Sequence, residues 1–266
     1  MKIIGYSLIT LIIVVACNTV PLTGRKQFTA IPTSQMLTLS NQSYNQVLKQ
    51  VDVSANSSAV RELRQVGNRV TDAVERYLQL IGREELIDGY QWEYNLIENE
   101  ELNAWCMPGG KIAFYEGILP ICEDKNGIAV VMSHEISHAI AKHGNERMSQ
   151  QLALQLGGMA LSEALQKKSE TTVQLAMTAF GLGAQLGVVL PYSRSHEKEA
   201  DELGLYFMAM AGFDPQEAPE FWKRMQAESS ARGTPEFLST HPNPQKRINH
   251  LERIMPKAMD YYVINK

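Results

Sequence analysis

The sequence predicts an α+β fold, mostly helical, with a small mixed sheet beside one motif-bearing helix. Three observations carry this. Apolar residues recur at three- and four-residue steps along much of the chain, the spacing of a helix face. Residues 90–119 instead string aromatic and branched residues in short runs around Pro108–Gly109–Gly110, as strands and a turn do. The pattern His-Glu-x-x-His, from His134 to His138, sits in an apolar run that reads as helix. The 266 residues are 44% hydrophobic, enough for one sizeable core. The formal net charge is -4, so no basic field holds a phosphate backbone and nucleic acid is excluded as a partner.

In chain order, residues 1–16 are a processing segment: a short charged start, the apolar run from Ile3, then small Ala16 before Cys17. The segment resembles a bacterial lipoprotein signal, which would make Cys17 the first mature residue and the lipid carrier. The apolar run is shorter than the ~20 residues that span a bilayer. Asn18 is not the Asp that typically retains such proteins in the inner membrane, which implies the periplasmic face of the outer membrane. Residues 17–34, with Pro21, Gly24 and Pro32 among polar neighbours, read as a lipidated tether. Residues 35–266 read as one domain.

Within it, a helix is expected over 34–49 and another over 59–81, with Val60, Leu63, Val66, Val70, Val74 and Leu78 on one face. Strands are expected at 92–96, 104–107 and 111–115, with Trp92 and Trp105 packing in the core. The motif helix runs over 126–143, capped by Asp124 or Asn126 and stopped at Gly144. Residues 146–190 read as two helices folded back at Lys167, Lys168 and Glu170. Ordinary helical core is the leading reading there, with a membrane-contacting lid or a membrane hairpin as alternatives. A helix over 195–211 is capped by Ser195 and ended by Gly212. Another follows with Phe221, Trp222 and Met225 inward, and a loop and terminal helix close the chain.

The chemistry centres on His134 and His138, which share a helix face and can grip one metal ion, with Glu135 beside it to take a proton from water. A catalytic zinc usually has three protein ligands and keeps one place open. The third is sought in SRSHEKEAD, residues 193–201. Glu197 and Asp201 share a face there, while Glu199 points away. One arrangement makes Glu197 the ligand and Asp201 an acceptor behind a zinc histidine, with His196 a poor ligand. His241 has three readings: stabilising developing negative charge on a carbonyl oxygen, filling the open zinc position to hold the site latent, or packing in its loop. Arg247 reads as a brace through an acidic or backbone partner. Cys106 and Cys122 are either disulfide-bonded or two separate thiols.

These residues lie in segments that resemble the M48 family of zinc metallopeptidases, in its exported, lipid-anchored OMA1-like branch. The segments are TGRKQF, NAWCMPGGKIAFYEGIL, HEISHAIAKH, YSRSHEKEAD and STHPNPQKRI, in the family order. The resemblance implies a zincin-like metallopeptidase domain holding one Zn2+ through His134, His138 and Glu197. Glu135 is implied as general base, with His241 as a further catalytic candidate. It also implies a strand beside the motif helix that holds extended, unfolded polypeptide substrates, and Lys111–Tyr115 is the expected free edge. A C-terminal helical repeat domain and the unbroken spans of prenyl-processing members are not expected. The implied function is endoproteolysis of misfolded or misassembled envelope proteins. The alternative is a zinc-binding periplasmic chaperone or assembly factor with latent or no proteolysis.

Overall fold

A computed structural model describes residues 17–21 and 23–265. The signal-peptide reading of residues 1–16 falls outside them, as do Leu22 and Lys266. The structure is α+β and mostly helical, and it clusters into two compact units: residues up to Thr33 with Lys142–His196, and Ser34–Ala141 with Glu197–Lys266.

The second unit contains the sheet and the motif. Helix α1, Thr33–Leu48, enters it. Helix α2, Ser57–Leu80, begins where Asn56 accepts a bond from the Ala59 backbone N–H, and it buries the expected apolar face, Val66, Val70, Val74 and Leu78 among it. Strands β3 (Glu93–Ile97), β4 (Ala104–Met107) and β5 (Lys111–Tyr115) form a mixed sheet in the order β3-β5-β4, with β3 parallel and β4 antiparallel to β5. The turn between β4 and β5 puts Gly109 and Gly110 at φ of 91° and 80°, which glycine adopts without strain.

This order corrects one expectation. Lys111–Tyr115 is the central strand, not an edge. The outer side of β3 is partly met by residues 52–54, through a bridge from Val53 to Ile97 and a bond from the Ser54 N–H to the Leu96 carbonyl. Strand β4 is the free edge among the described residues, and it packs on the motif helix. The parallel β3–β5 pairing encloses the later strand, and local turn chemistry carries no sign of that. Trp92 and Trp105 are half-buried rather than core. Cys106 and Cys122 are separate free thiols.

Helix α3, Lys125–Ile140, carries the motif. The Asp124 carboxylate caps it, accepting from the Asn126 and Gly127 N–H groups at 2.7 and 3.1 Å. It is almost wholly buried, as its short apolar sequence demands. It ends three residues before His143 because Lys142 takes a left-handed conformation, φ 55°, and starts the next helix, leaving Gly144 inside that helix rather than at a stop. Helices α7 (Glu217–Arg232) and α8 (Pro244–Asn265) pack on each other, with Phe221, Trp222 and Met225 buried as expected.

The first unit holds a small hairpin, β1 (Cys17–Thr19) paired with β2 (Lys26–Phe28), inside the segment read as a tether. Two helices fold back on each other, α4 (His143–Ala164) and α5 (Glu170–Ala184), with Ser169 capping the second. This is the break expected near Lys167. The leading expectation of helical core fails, because α5 has no buried residue. Through a π turn at Gln185–Val189, α5 runs on into α6 (Leu190–Met210), so Ser195 lies within a helix rather than at its start. Gly212, φ 75°, follows the end of α6 as expected.

Candidate active site

Two helices bring the chemistry together. Gly204 of α6 faces the α3 backbone, and a Cβ there would stand 3.0 Å from the His134 nitrogen and 3.1 Å from its Cα. A Cβ there would be a tight contact that the α3 backbone would have to yield to, so glycine favours this close approach of α6, and one and two turns earlier on the same helix come Asp201 and Glu197.

His134 Nε2 lies 3.1 Å from His138 Nε2 and 3.5 Å from Glu197 Oε2, and His138 Nε2 is 3.5 Å from Glu197 Oε1. His241, in the turn after the short helix Glu236–Thr240, puts Nδ1 at 3.2 Å from His134 Nε2 and 2.8 Å from Glu197 Oε2. Ligand atoms of these four residues all lie within 4.8 Å of one another, a group that could hold a metal ion. A tetrahedral zinc with bonds of ~2.0–2.1 Å separates its ligand nitrogens by roughly 3.3 Å, which these spacings fit. The donor set of imidazoles and one carboxylate fits the same ion.

Glu135 is buried, and its Oε1 has no hydrogen-bond partner among the described residues. It stands 3.4 Å from His241 Nε2. Burial raises its pKa above the ordinary carboxylate range, while His241 and His134 pull it down. Glu197 goes the other way: burial would raise it, but His138 and His241 hold it well below that range.

Behind His134, Asp201 Oδ1 lies 3.3 Å from Nδ1. A carboxylate there fixes the ring's tautomer and leaves Nε2 free for a metal. Arg247 supports both acidic groups. Its Nε donates to Asp201 Oδ2 at 2.9 Å, its Nη1 to Glu197 Oε2 at 3.1 Å, and its Nη2 contacts Asp201 and, at 2.9 Å, His134 Nδ1. Its guanidinium lies 3.6 Å over the Trp222 ring. The pKa of Asp201 is lowered: burial raises it, and Arg247 and His134 together more than offset that.

The structure therefore brings His134, Glu135, His138, Glu197 and His241 together, with Asp201 and Arg247 behind them. His196 is elsewhere: its Nε2 bonds Glu146 at 2.8 Å and its ring stacks on His143. The contact of Arg247 with the histidine and the glutamate at once was not legible, since residues more than a hundred positions apart meet there. The approach glycine, Gly204, was also missed; a small residue one turn after an acidic pair was the available signal.

A helix-borne His-Glu-x-x-His with an acidic residue from a second helix defines the class. The model of peptidase family M48 matches residues 62–255, and the chain belongs to that family of zinc-dependent metalloproteases. Its relatives narrow the class to metalloendopeptidases. The chain is 30% identical over 247 residues to mitochondrial metalloendopeptidase OMA1 of Schizosaccharomyces pombe, covering 90% of this chain and 66% of that protein. It is 30% identical to the same protein of Saccharomyces cerevisiae over 252 residues, covering 91% and 70%. It is 30% identical over 185 residues to the beta-barrel assembly-enhancing protease of Escherichia coli, covering 65% of this chain and 38% of that protein.

Proposed function

We propose that this chain is a zinc metalloendopeptidase of the bacterial cell envelope, anchored by lipid on Cys17 at the periplasmic face of the outer membrane and cleaving misfolded or misassembled polypeptides. The observation that carries the catalytic reading is the buried Glu135 carboxylate, whose Oε1 lacks a hydrogen-bond partner among the described residues, beside four converging metal donors.

His134, His138 and Glu197 would hold the Zn2+. When bound, the ion supplies Lewis-acid polarisation of the attacking water and the scissile carbonyl. Glu135 takes the proton of that water; its raised pKa makes it a stronger base than a solvated carboxylate and a usable acid afterwards. The same carboxyl then delivers the proton to the leaving amine. Asp201 and Arg247 keep His134 and Glu197 in position during both transfers. Strand β4 supports the substrate reading, because its unpaired backbone edge lies on the motif helix and can take an extended chain of any sequence.

His241 sits among the donors, where it would take the fourth position on a bound metal that a water needs. On this reading it holds the enzyme latent and must swing out for turnover. Cleavage of casein by the zinc-loaded chain tests the set. Glu135→Gln abolishes cleavage with zinc retained, and His241→Ala raises it. Undiminished cleavage by Glu135→Gln refutes the assignment of the base, and lowered cleavage by His241→Ala refutes the latch and favours the role on the carbonyl oxygen.

A further inference from the structure

The hairpin of α4 and α5 exposes more large apolar surface than a soluble helical pair needs. Leu152, Leu156 and Met159 on α4 are 45%, 57% and 62% exposed, and Leu175, Leu182 and Leu186 on α5 and its continuation are 67%, 59% and 66% exposed. Their spacings of three, four and seven residues make a stripe along each helix. Contiguous exposed apolar surface marks a contact site rather than bare solvent-facing helix.

The hairpin holds itself together without that surface. Gly157 and Gly158 face Phe180 and Met177 across the seam, where an added Cβ would stand 3.3 to 3.8 Å from them. The leucine stripes are therefore not left over from the seam. Polarity follows the same plan. Gln151, Gln155, Gln174 and Gln185 each precede a stripe leucine by one position, about 100° round the helix. Residues 171–193 contain no Asp, Glu, Lys or Arg, a length of about 34 Å at 1.5 Å per residue, and the charges Lys167, Lys168 and Glu170 gather at the tip. The helix Glu170–Met210 is long and apolar enough to cross a membrane, and none of its most apolar stretch is buried.

The proposed lipid anchor at Cys17 selects the occupant. Cys17, the proposed lipid carrier, follows the largely apolar residues 3–16 and lies on a strand paired Cys17 to Phe28. That small sheet is fastened to the base of the hairpin. The Arg25 guanidinium donates two bonds to the Glu146 carboxylate at 3.1 and 2.8 Å, Glu146 Oε1 also accepts the Phe28 N–H, and Ser149 Oγ accepts the Ala30 N–H. The anchor point and the apolar hairpin thus belong to one compact unit.

We infer that the α4–α5 hairpin seats in a lipid bilayer. Its leucine and methionine stripes enter the acyl layer, and its glutamines and tip charges stay at headgroup depth. Helical backbone satisfies its own polar groups there, so the cost is confined to side chains that reach the interface. The inference rests on the lipid anchor proposed above and is independent of the protease reading.

The test reads depth directly. Leu156→Trp, Leu182→Trp and, in the other unit, the exposed control Leu80→Trp are placed singly in the full chain. Each is bound to vesicles of phosphatidylethanolamine and phosphatidylglycerol, with and without brominated acyl chains. The expected result is loss of the added emission at positions 156 and 182 in brominated vesicles, with position 80 unchanged. A chain that sediments with vesicles but loses no emission at 156 or 182 overturns the hairpin inference and leaves the anchor standing. A chain that does not sediment overturns both. A blue shift at 182 that depends on protein concentration and not on lipid overturns it in favour of a second copy of the chain.

Discussion

Arg247→Ala tests the site most sharply, because one guanidinium supports two acidic groups that face a histidine. The side chain is 4% exposed. Its loss removes the bonds to Asp201 and Glu197 and the stack on Trp222, and leaves the Asp201 carboxylate buried with no cation beside it. Breaking one partner of a buried pair costs about 3–5 kcal/mol, more than the pair contributes net, because an uncompensated charge stays behind. At ~2–4 °C per kcal/mol for a chain of this size, the thermal midpoint falls by roughly 6–20 °C. Arg247→Lys recovers only part of this, since one ammonium cannot serve Asp201 and Glu197 together or lie flat on the indole. Arg247→Met with Asp201→Asn costs less than Arg247→Ala alone, because Glu197 is then the one buried carboxylate that loses its guanidinium partner rather than Glu197 and Asp201 together. The assay is urea unfolding followed by circular dichroism with chelator present, so that metal binding does not mask the difference. A loss below about 1 kcal/mol for Arg247→Ala, or a double variant no better than the single, refutes the reasoning.

Glu135→Gln lowers casein cleavage by at least ~10²-fold, the scale of a general base, with zinc content unchanged by metal analysis. Chelation lowers the midpoint of the wild-type chain and added zinc restores it, by an amount that grows with free zinc; the loss is smaller in His134→Ala. Glu146, whose pKa is depressed to about 2, with burial opposing and His196 and Arg25 lowering it, adds stability that is complete above its unfolded value of about 4.5 and is lost as pH falls toward 2. Arg25→Ala shrinks that acid-range loss, on the order of 2 kcal/mol, measured by unfolding across pH. Gly127→Ala places a Cβ 1.9 Å from the Cys122 carbonyl oxygen, a backbone clash that destabilises the chain in the same unfolding assay.

The parts of the site legible in the sequence are those fixed by one helix at a time. His134 and His138 share a face because they are four residues apart, and Glu197 and Asp201 do so for the same reason. Helix α2, strands β4 and β5 and the buried face of α7 were equally readable, since periodicity and turn residues are local. Tertiary structure alone decided the rest. Sheet order is a long-range pairing, so it put Lys111–Tyr115 in the centre and left Ala104–Met107 as the edge. Lys142 ends α3 without any glycine to announce it. The leucines of residues 146–190 have the composition of core, and only the packing around them shows that they face outward. Among the open readings of His241 and Arg247, chain closure over more than forty residues from Glu197 brought the His241 ring to the metal donors and the Arg247 guanidinium to Asp201 and Glu197 together, a choice that residue types and spacing left open.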